Sequence, residues 1–236
     1  MENDLPDLYY GISEYALAVT PDSRRAIAAL SGGFRLDGTL PGDVVKVWDL
    51  DTGLEVYALD GHSGQVVSIA VSPDGRRAVS ASDDGTVKVW DLKLGRLAHT
   101  LSGHSDQVQA VLVTTDSRLV VSASLDSTVK VWDLSTGGLL RTLIGHGGQL
   151  YALASSADGR CIISGSFEGF LTVWSMQSGQ ELASVAVEGE RPQLAIQQRN
   201  GILAGASDGD VYCLDYVEPS RPDPIADSSG GPNPRK

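Results

Sequence analysis

Cysteine is nearly absent from this chain, basic residues are outnumbered, and nowhere is the sequence apolar for long. The two cysteines, Cys161 and Cys213, sit in strand-like apolar runs without paired spacing. That arrangement suits reduced core thiols in a cytosolic protein better than a disulfide framework. Lysine and arginine number 18 against 30 acids, a formal charge of −12. A surface so acidic repels phosphates, which argues against nucleic acid and anionic membranes as partners. No apolar run approaches the ~18 to 20 residues that span a bilayer. The first residues, Met1 to Tyr10, carry acids and a proline but no basic start before an apolar stretch, so no secretory signal is expected and the expected location is the cytoplasm. The glycine-rich Ser31-Gly32-Gly33 is not followed by Gly-Lys-Ser or Gly-Lys-Thr, so no phosphate loop is encoded.

What the chain does have is a core-forming composition, with 42% hydrophobic residues in 236, and a repeat. Its four tryptophans are Trp48, Trp90, Trp132 and Trp174, each 42 residues from the last. Gly53, Gly95, Gly137 and Gly179 keep the same interval, as do the pairs Gly61-His62, Gly103-His104 and Gly145-His146. Three registers in step identify tandem structural units.

Within one period, short β-rich runs alternate with turn residues: Val66 to Val71, Arg77 to Ala81, Thr86 to Trp90 and Arg96 to Leu101. That predicts four strands per repeat. Pro73-Asp74-Gly75 and Ala157-Asp158-Gly159 mark the first hairpin turn, Asp84-Gly85 the second and Lys93-Leu94-Gly95 the third. The first strand reads Val-Val-Ser-Ile-Ala-Val, apolar on both faces, so its sheet must be covered on both sides. Sheets stacked around an axis meet that demand.

The stretches Lys46-Val47-Trp48-Asp49, Lys88-Val89-Trp90-Asp91 and Lys130-Val131-Trp132-Asp133, with Gly-His pairs upstream and Val173-Trp174-Ser175 as a fourth copy, resemble the WD-repeat family of β-propellers. The resemblance covers roughly residues 12 to 216 and implies an all-β propeller of four-stranded antiparallel blades, four clear and a degenerate fifth. The blades fall at about 12–60, 61–102, 103–144, 145–187 and 188–216. It further implies a buried network of histidine, serine, turn acid and tryptophan in each clear blade after the first. These would be His62, Ser80, Asp84 and Trp90, then His104, Ser122, Asp126 and Trp132, then His146, Ser164, Glu168 and Trp174. A hydroxyl, an imidazole and an indole N–H enter a packed sheet only where each finds a partner. Ser82 competes with Ser80 for this role, and period-2 reasoning does not separate them. By the same resemblance a partner-binding face would comprise Gln65, Val67 and Asp83, then Gln107, Gln109 and Leu125, then Gln149, Tyr151 and Phe167.

The repeat breaks in three places. Ten extra residues separate Arg24 from Trp48 relative to Arg76 and Trp90, which predicts an enlarged loop within Ser31 to Asp43 between the second and third strands. In the fifth repeat Leu214-Asp215 replaces Trp-Asp and Val187-Glu188 replaces Gly-His. From Glu218 onward five of the ten prolines gather with serine, glycine and charge, so residues 217–236 are expected to be an unfolded tail. Closure is left with three routes: a small five-bladed ring, with Glu2 to Leu8 of segment 1–11 as candidate closing strand; an open arc completed by self-association or another chain; or a piece of a longer protein.

No enzyme is expected. Three of the four histidines belong to the repeat, one per blade, whereas a metal needs convergent ligands. His62, Ser80 and Asp84 imitate a catalytic triad, but a triad copied into every blade is structural bonding. The expectation is therefore a scaffold without cofactor or metal that binds other proteins or peptides. The alternative is a detached or truncated regulatory domain, since Val-Ser-Pro-Asp-Gly-Arg-Arg-Ala-Val-Ser-Ala-Ser-Asp-Asp-Gly is similar to the sensor arrays of bacterial signalling ATPases.

Overall fold

The structure is a computed structural model that describes residues 12–30, 42–145, 147–156, 158–186, 193–197, 201–205 and 211–215. The N-terminal segment 1–11 with its candidate closing strand, the bulk of the insert, His146, Ala157 and the 217–236 tail lie outside the described residues.

β-Branched residues in short runs, cut by Asp-Gly and Ser-Gly turns, produce antiparallel hairpins in strict sequence order. Blade one holds β1 (Ile12–Val19), β2 (Arg25–Leu30), β3 (Val44–Asp49) and β4 (Glu55–Leu59). Blade two holds β5 (Val66–Val71), β6 (Arg77–Ser82), β7 (Thr86–Asp91) and β8 (Arg96–Ser102). Blade three follows with β9 (Val108–Val113), β10 (Leu119–Ser124), β11 (Thr128–Asp133) and β12 (Leu139–Ile144). Blade four has β13 (Leu150–Ser155), β14 (Cys161–Ser166), β15 (Phe170–Ser175) and β16 (Glu181–Ala186). A fifth sheet, β17 (Gln193–Gln197), β18 (Gly201–Gly205) and β19 (Val211–Asp215), has three strands. Thirteen residues join β2 to β3, whereas three join β6 to β7, which puts the insert in the second hairpin connection of blade one.

The first strands pack in succession, β5 between β1 and β9, and β13 between β9 and β17. One core cluster fills each of the three interfaces among blades one to four. Ala16, Ile27, Val45, Val47 and Leu59 of blade one meet Ile69, Ala78, Trp90 and Leu92 of blade two. Val79, Val87, Val89 and Leu101 then meet Val111, Val120, Trp132 and Leu134, and Val121, Val129, Val131 and Leu143 meet Leu150, Ile162 and Trp174. Alternate residues of β6 and β10 thus face opposite neighbours, which is why both strands are buried from their second residue onward. Cys161, the first residue of β14, is buried.

A second device closes each seam at its outer edge. The Tyr57 hydroxyl donates to the Lys93 carbonyl at 3.1 Å, and His99 Nε2 donates to the Ser135 carbonyl at 2.9 Å. Arg141 donates to the carbonyls of Met176 and Gln177 at 2.8 and 2.9 Å. In each case an outer-strand side chain of one blade clasps the last turn of the next, over a glycine of positive φ (Gly95, Gly137 or Gly179).

Candidate functional site

The rim rests on the bonded network beneath it. His62 Nδ1 lies 2.8 Å from Asp84 Oδ2, and its Nε2 lies 2.8 Å from Ser80 Oγ. Trp90 Nε1 donates to the same Ser80 oxygen at 2.8 Å. A carboxylate can only accept, so Nδ1 carries the proton and Nε2 is the acceptor. Ser80 then donates its hydroxyl hydrogen to Nε2 and accepts from the indole, leaving no buried donor idle. Ser82 has another task, accepting the Asp84 amide at 3.1 Å. Blade three repeats the geometry through Asp126, His104, Ser122 and Trp132 at 2.8, 2.8 and 2.9 Å. In blade four Trp174 Nε1 donates to Ser164 Oγ at 2.7 Å, and the exposed Glu168 carboxylate takes the space that a side chain at Gly148 would need. Blade one has Ala28 at the register of Ser80, so that position offers Trp48 no hydroxyl.

The glycine before each histidine makes room for the indole. Gly103 has φ +155, and a Cβ there would stand 3.3 Å from Trp132 Cη2.

These bonds set the titration. Burial opposes charge on Asp84, yet hydrogen bonds from His62, Thr86 and Ser63 outweigh it and lower the carboxyl. Asp126 is lowered in the same balance, burial against Thr128, His104 and Ser105. Burial lowers His104, with Asp126 opposing. Since folding holds His104 neutral, the unfolded chain takes up the extra proton below 6.5, its ordinary value, and the native state loses stability there. The two aspartates stabilise the fold above their ordinary 3.8, and that contribution is lost as pH falls through 3.8 toward their lower folded values. Urea midpoints from pH 7 to 3 are expected to fall throughout, and Asp126→Asn is expected to start lower at pH 7 and fall less between pH 5 and 3. Parallel curves for the two proteins would contradict the assignment.

Blades two, three and four present the same pair of positions at the rim. The amide of Asp83 donates to the Gln65 carbonyl at 2.9 Å, Leu125 to Gln107 at 3.0 Å and Phe167 to Gln149 at 2.8 Å. Val67, Gln109 and Tyr151 are the extra residues where the pairing register slips between first and second strands. A bulge of this kind re-aims a side chain that regular pleating would send into the sheet. Gln65 and Gln149 are exposed and the other seven of the nine are half-buried.

Two sets of rim residues meet. Gln109 Nε2 donates to Asp83 Oδ1 and to Gln107 Oε1, both at 3.2 Å, linking blade three to blade two. The rings of Tyr151 and Phe167 lie 5.9 Å apart at 47°, and the Tyr151 hydroxyl donates to Gln149 Oε1 at 3.3 Å. Burial raises Asp83, and the charges of Asp43 and Asp84 push the same way. Asp43 escaped the sequence reading. It sits at the end of the insert, is buried and accepts the Val66 amide at 2.9 Å, so blade one caps the first strand of blade two. No repeat partner marks it, because the insert is unique to blade one.

The family model described as WD domain, G-beta repeat matches residues 53–91, 95–133 and 137–175. Each matched unit runs from the outer strand of one blade through the third strand of the next, so each straddles one seam. No curated protein matches the chain.

Proposed function

Because the chain belongs to the WD-repeat family, whose domains are as a rule protein-interaction scaffolds, we propose that it is a non-catalytic scaffold binding partner proteins or peptides through the propeller rim. The observation that carries this reading is the Tyr151–Phe167 pair, which stands at positions where blade two has Val67 and Asp83 and blade three Gln109 and Leu125. An aromatic pair on a bulge is a local departure from a repeat that folds without it. Rigid rings with a polar tip suit recognition. The side-chain amides of Gln149 beside it, and of Gln65, Gln107 and Gln109 at the matching positions of blades two and three, offer donors and acceptors to a peptide backbone, and the charge of −12 favours a basic segment.

The Ser-His-Asp constellations do not compete with this reading. Ser80 and Ser122 are buried and already held by an indole and an imidazole, so neither hydroxyl faces a substrate. Affinity capture is expected to recover proteins with the wild-type chain that Tyr151→Ser/Phe167→Ser loses by at least about tenfold. Identical captured sets from both chains would count against the rim.

A further inference from the structure

The strand ends opposite the rim hold a second departure from the repeat. The turns that join β5 to β6, β9 to β10 and β13 to β14 lie there, at the far end of the sheets from Gln149 and Phe167. Between blades one and two, Arg25 Nη1 donates to the Leu92 carbonyl at 2.6 Å. Between blades two and three, the Asp74 amide donates to Ser117 Oγ at 3.1 Å, and Arg77 pairs with Asp91. Blades three and four have other residues at these positions. Leu119 stands at the register of Arg25 and Arg77, and Gly159, 42 residues beyond Ser117, has no hydroxyl to offer the Asp116 amide. Ser175 also replaces the acid that blades one to three carry as Asp49, Asp91 and Asp133.

A cleft of about 800 Å³ opens at this seam, and every residue that lines it is described. Leu119, Cys161, Met176 and Leu182 give it an apolar wall, of which Leu182 is 43% exposed. Its charged residues are Arg118 and Arg160 with Asp116 and Asp158. Both aspartates are engaged in their own turns. Asp116 Oδ1 accepts from the Thr114 hydroxyl at 2.6 Å and the Arg118 amide at 3.0 Å, and Asp158 Oδ1 accepts from the Ser156 hydroxyl at 2.6 Å and the Arg160 amide at 3.0 Å. Asp158 also holds the Arg160 guanidinium at 3.6 Å. Arg118 is exposed, and its guanidinium makes no ion pair among the described residues. The cleft thus sets a guanidinium beside an apolar wall at the one seam among blades one to four where the repeat acid has become serine.

We propose that this cleft binds a carboxylate with an apolar body, its head on the Arg118 guanidinium and its body along Leu119, Met176 and Leu182. A guanidinium presents two parallel N–H donors that match a carboxylate. The volume lies in the range of small-ligand sites, which join an apolar lining to a few placed polar groups. Asp116 and Asp158 at the same cleft repel a ligand of higher negative charge, so a single carboxylate is selected over a polyanion. A free acid and the C-terminal carboxylate of a partner chain share this chemistry. The site lies at the other end of the strands from Tyr151 and Phe167 and stands independently of the rim.

Amide-shift titrations of the full ¹⁵N-labelled chain with octanoate and with octanamide test this. Octanoate is expected to move the amides of residues 114–119 and 158–161 and to bind at least about tenfold more tightly than octanamide, which keeps the body and loses the charge. Arg118→Gln is expected to weaken octanoate by about tenfold at an unchanged melting temperature, because that side chain is exposed. Arg76→Gln, the same repeat position in blade two, is expected to leave binding as it is. Leu182→Glu, which sets a carboxylate on the apolar wall, is expected to abolish it. Acetyl-Ala-Ala-Leu with a free C-terminus separates the two sources: tighter binding than octanoate at the same amides supports a partner's chain end, and weaker binding supports a free acid. Shifts confined to other residues, equal affinity for octanoate and octanamide, no binding of either acid, or an Arg118→Gln chain that binds octanoate like wild type would each overturn the proposal.

Discussion

Replacing Trp90 with alanine is expected to lower the unfolding free energy by about 3 to 5 kcal/mol, the scale of a large-to-small change at a buried aromatic. The ring is 1% exposed and belongs to the cluster that joins blades one and two. Its loss opens a cavity at that seam and leaves Ser80 Oγ without the indole donor that stands 2.8 Å away. Repeat units are stabilised by their neighbours, so the damage is expected to spread to blades one and two and spare blade four. Equilibrium denaturation reads the size of the effect, and amide hydrogen exchange reads its spread. An unchanged midpoint would mean that Trp90 does not hold the seam. Trp48→Ala is expected to cost less, because Trp48 is half-buried and Ala28 stands at the register that Ser80 holds in blade two.

Ser122→Ala removes one oxygen and is nevertheless expected to cost about 2 to 4 kcal/mol, since two buried partners are orphaned at once and each carries a penalty of about 1 to 3 kcal/mol. The Trp132 indole loses its acceptor at 2.9 Å and His104 Nε2 loses its donor at 2.8 Å. A neutral imidazole without that donor has a bare acceptor in an apolar seam, so the His104–Asp126 contact also loses its geometric constraint. The double variant Ser122→Ala/Trp132→Phe is expected to lose little more than Ser122→Ala alone, because the phenyl ring removes the stranded N–H. Full additivity of the two changes, measured by urea denaturation, would show that serine and indole do not act as one unit.

The blades were legible because two signals coincided at 42 residues: alternating apolar runs and the Gly, His and Trp registers. The run Val66 to Val71 is β5 to the residue, and the Thr86 to Trp90 run ends one residue short of β7. The insert was placed between the second and third strands by counting from Arg24 to Trp48, which needs no structural knowledge.

The seam clasps were not legible. Tyr57, His99 and Arg141 are 42 residues apart, but a phenol, an imidazole and a guanidinium share no side-chain identity, only the capacity to donate to a carbonyl. A search for repeated residue types passes over a repeated function. The bulges at Val67, Gln109 and Tyr151 were hidden for a related reason. A register slip leaves the alternation of apolar residues nearly intact, and Val, Gln and Tyr give no common mark. Ser80 and Ser82 are both buried, so burial could not have separated them, and only the distance to His62 and Trp90 does.

Calorimetric titration of a captured partner into wild-type chain and into Tyr151→Ser/Phe167→Ser, beside thermal melts of both, tests the binding rim most directly. The account predicts that the variant loses at least about 2 kcal/mol of binding free energy, roughly thirtyfold in affinity, while its melting temperature barely moves. Intact affinity with a large loss of stability would contradict it and assign both rings to the core.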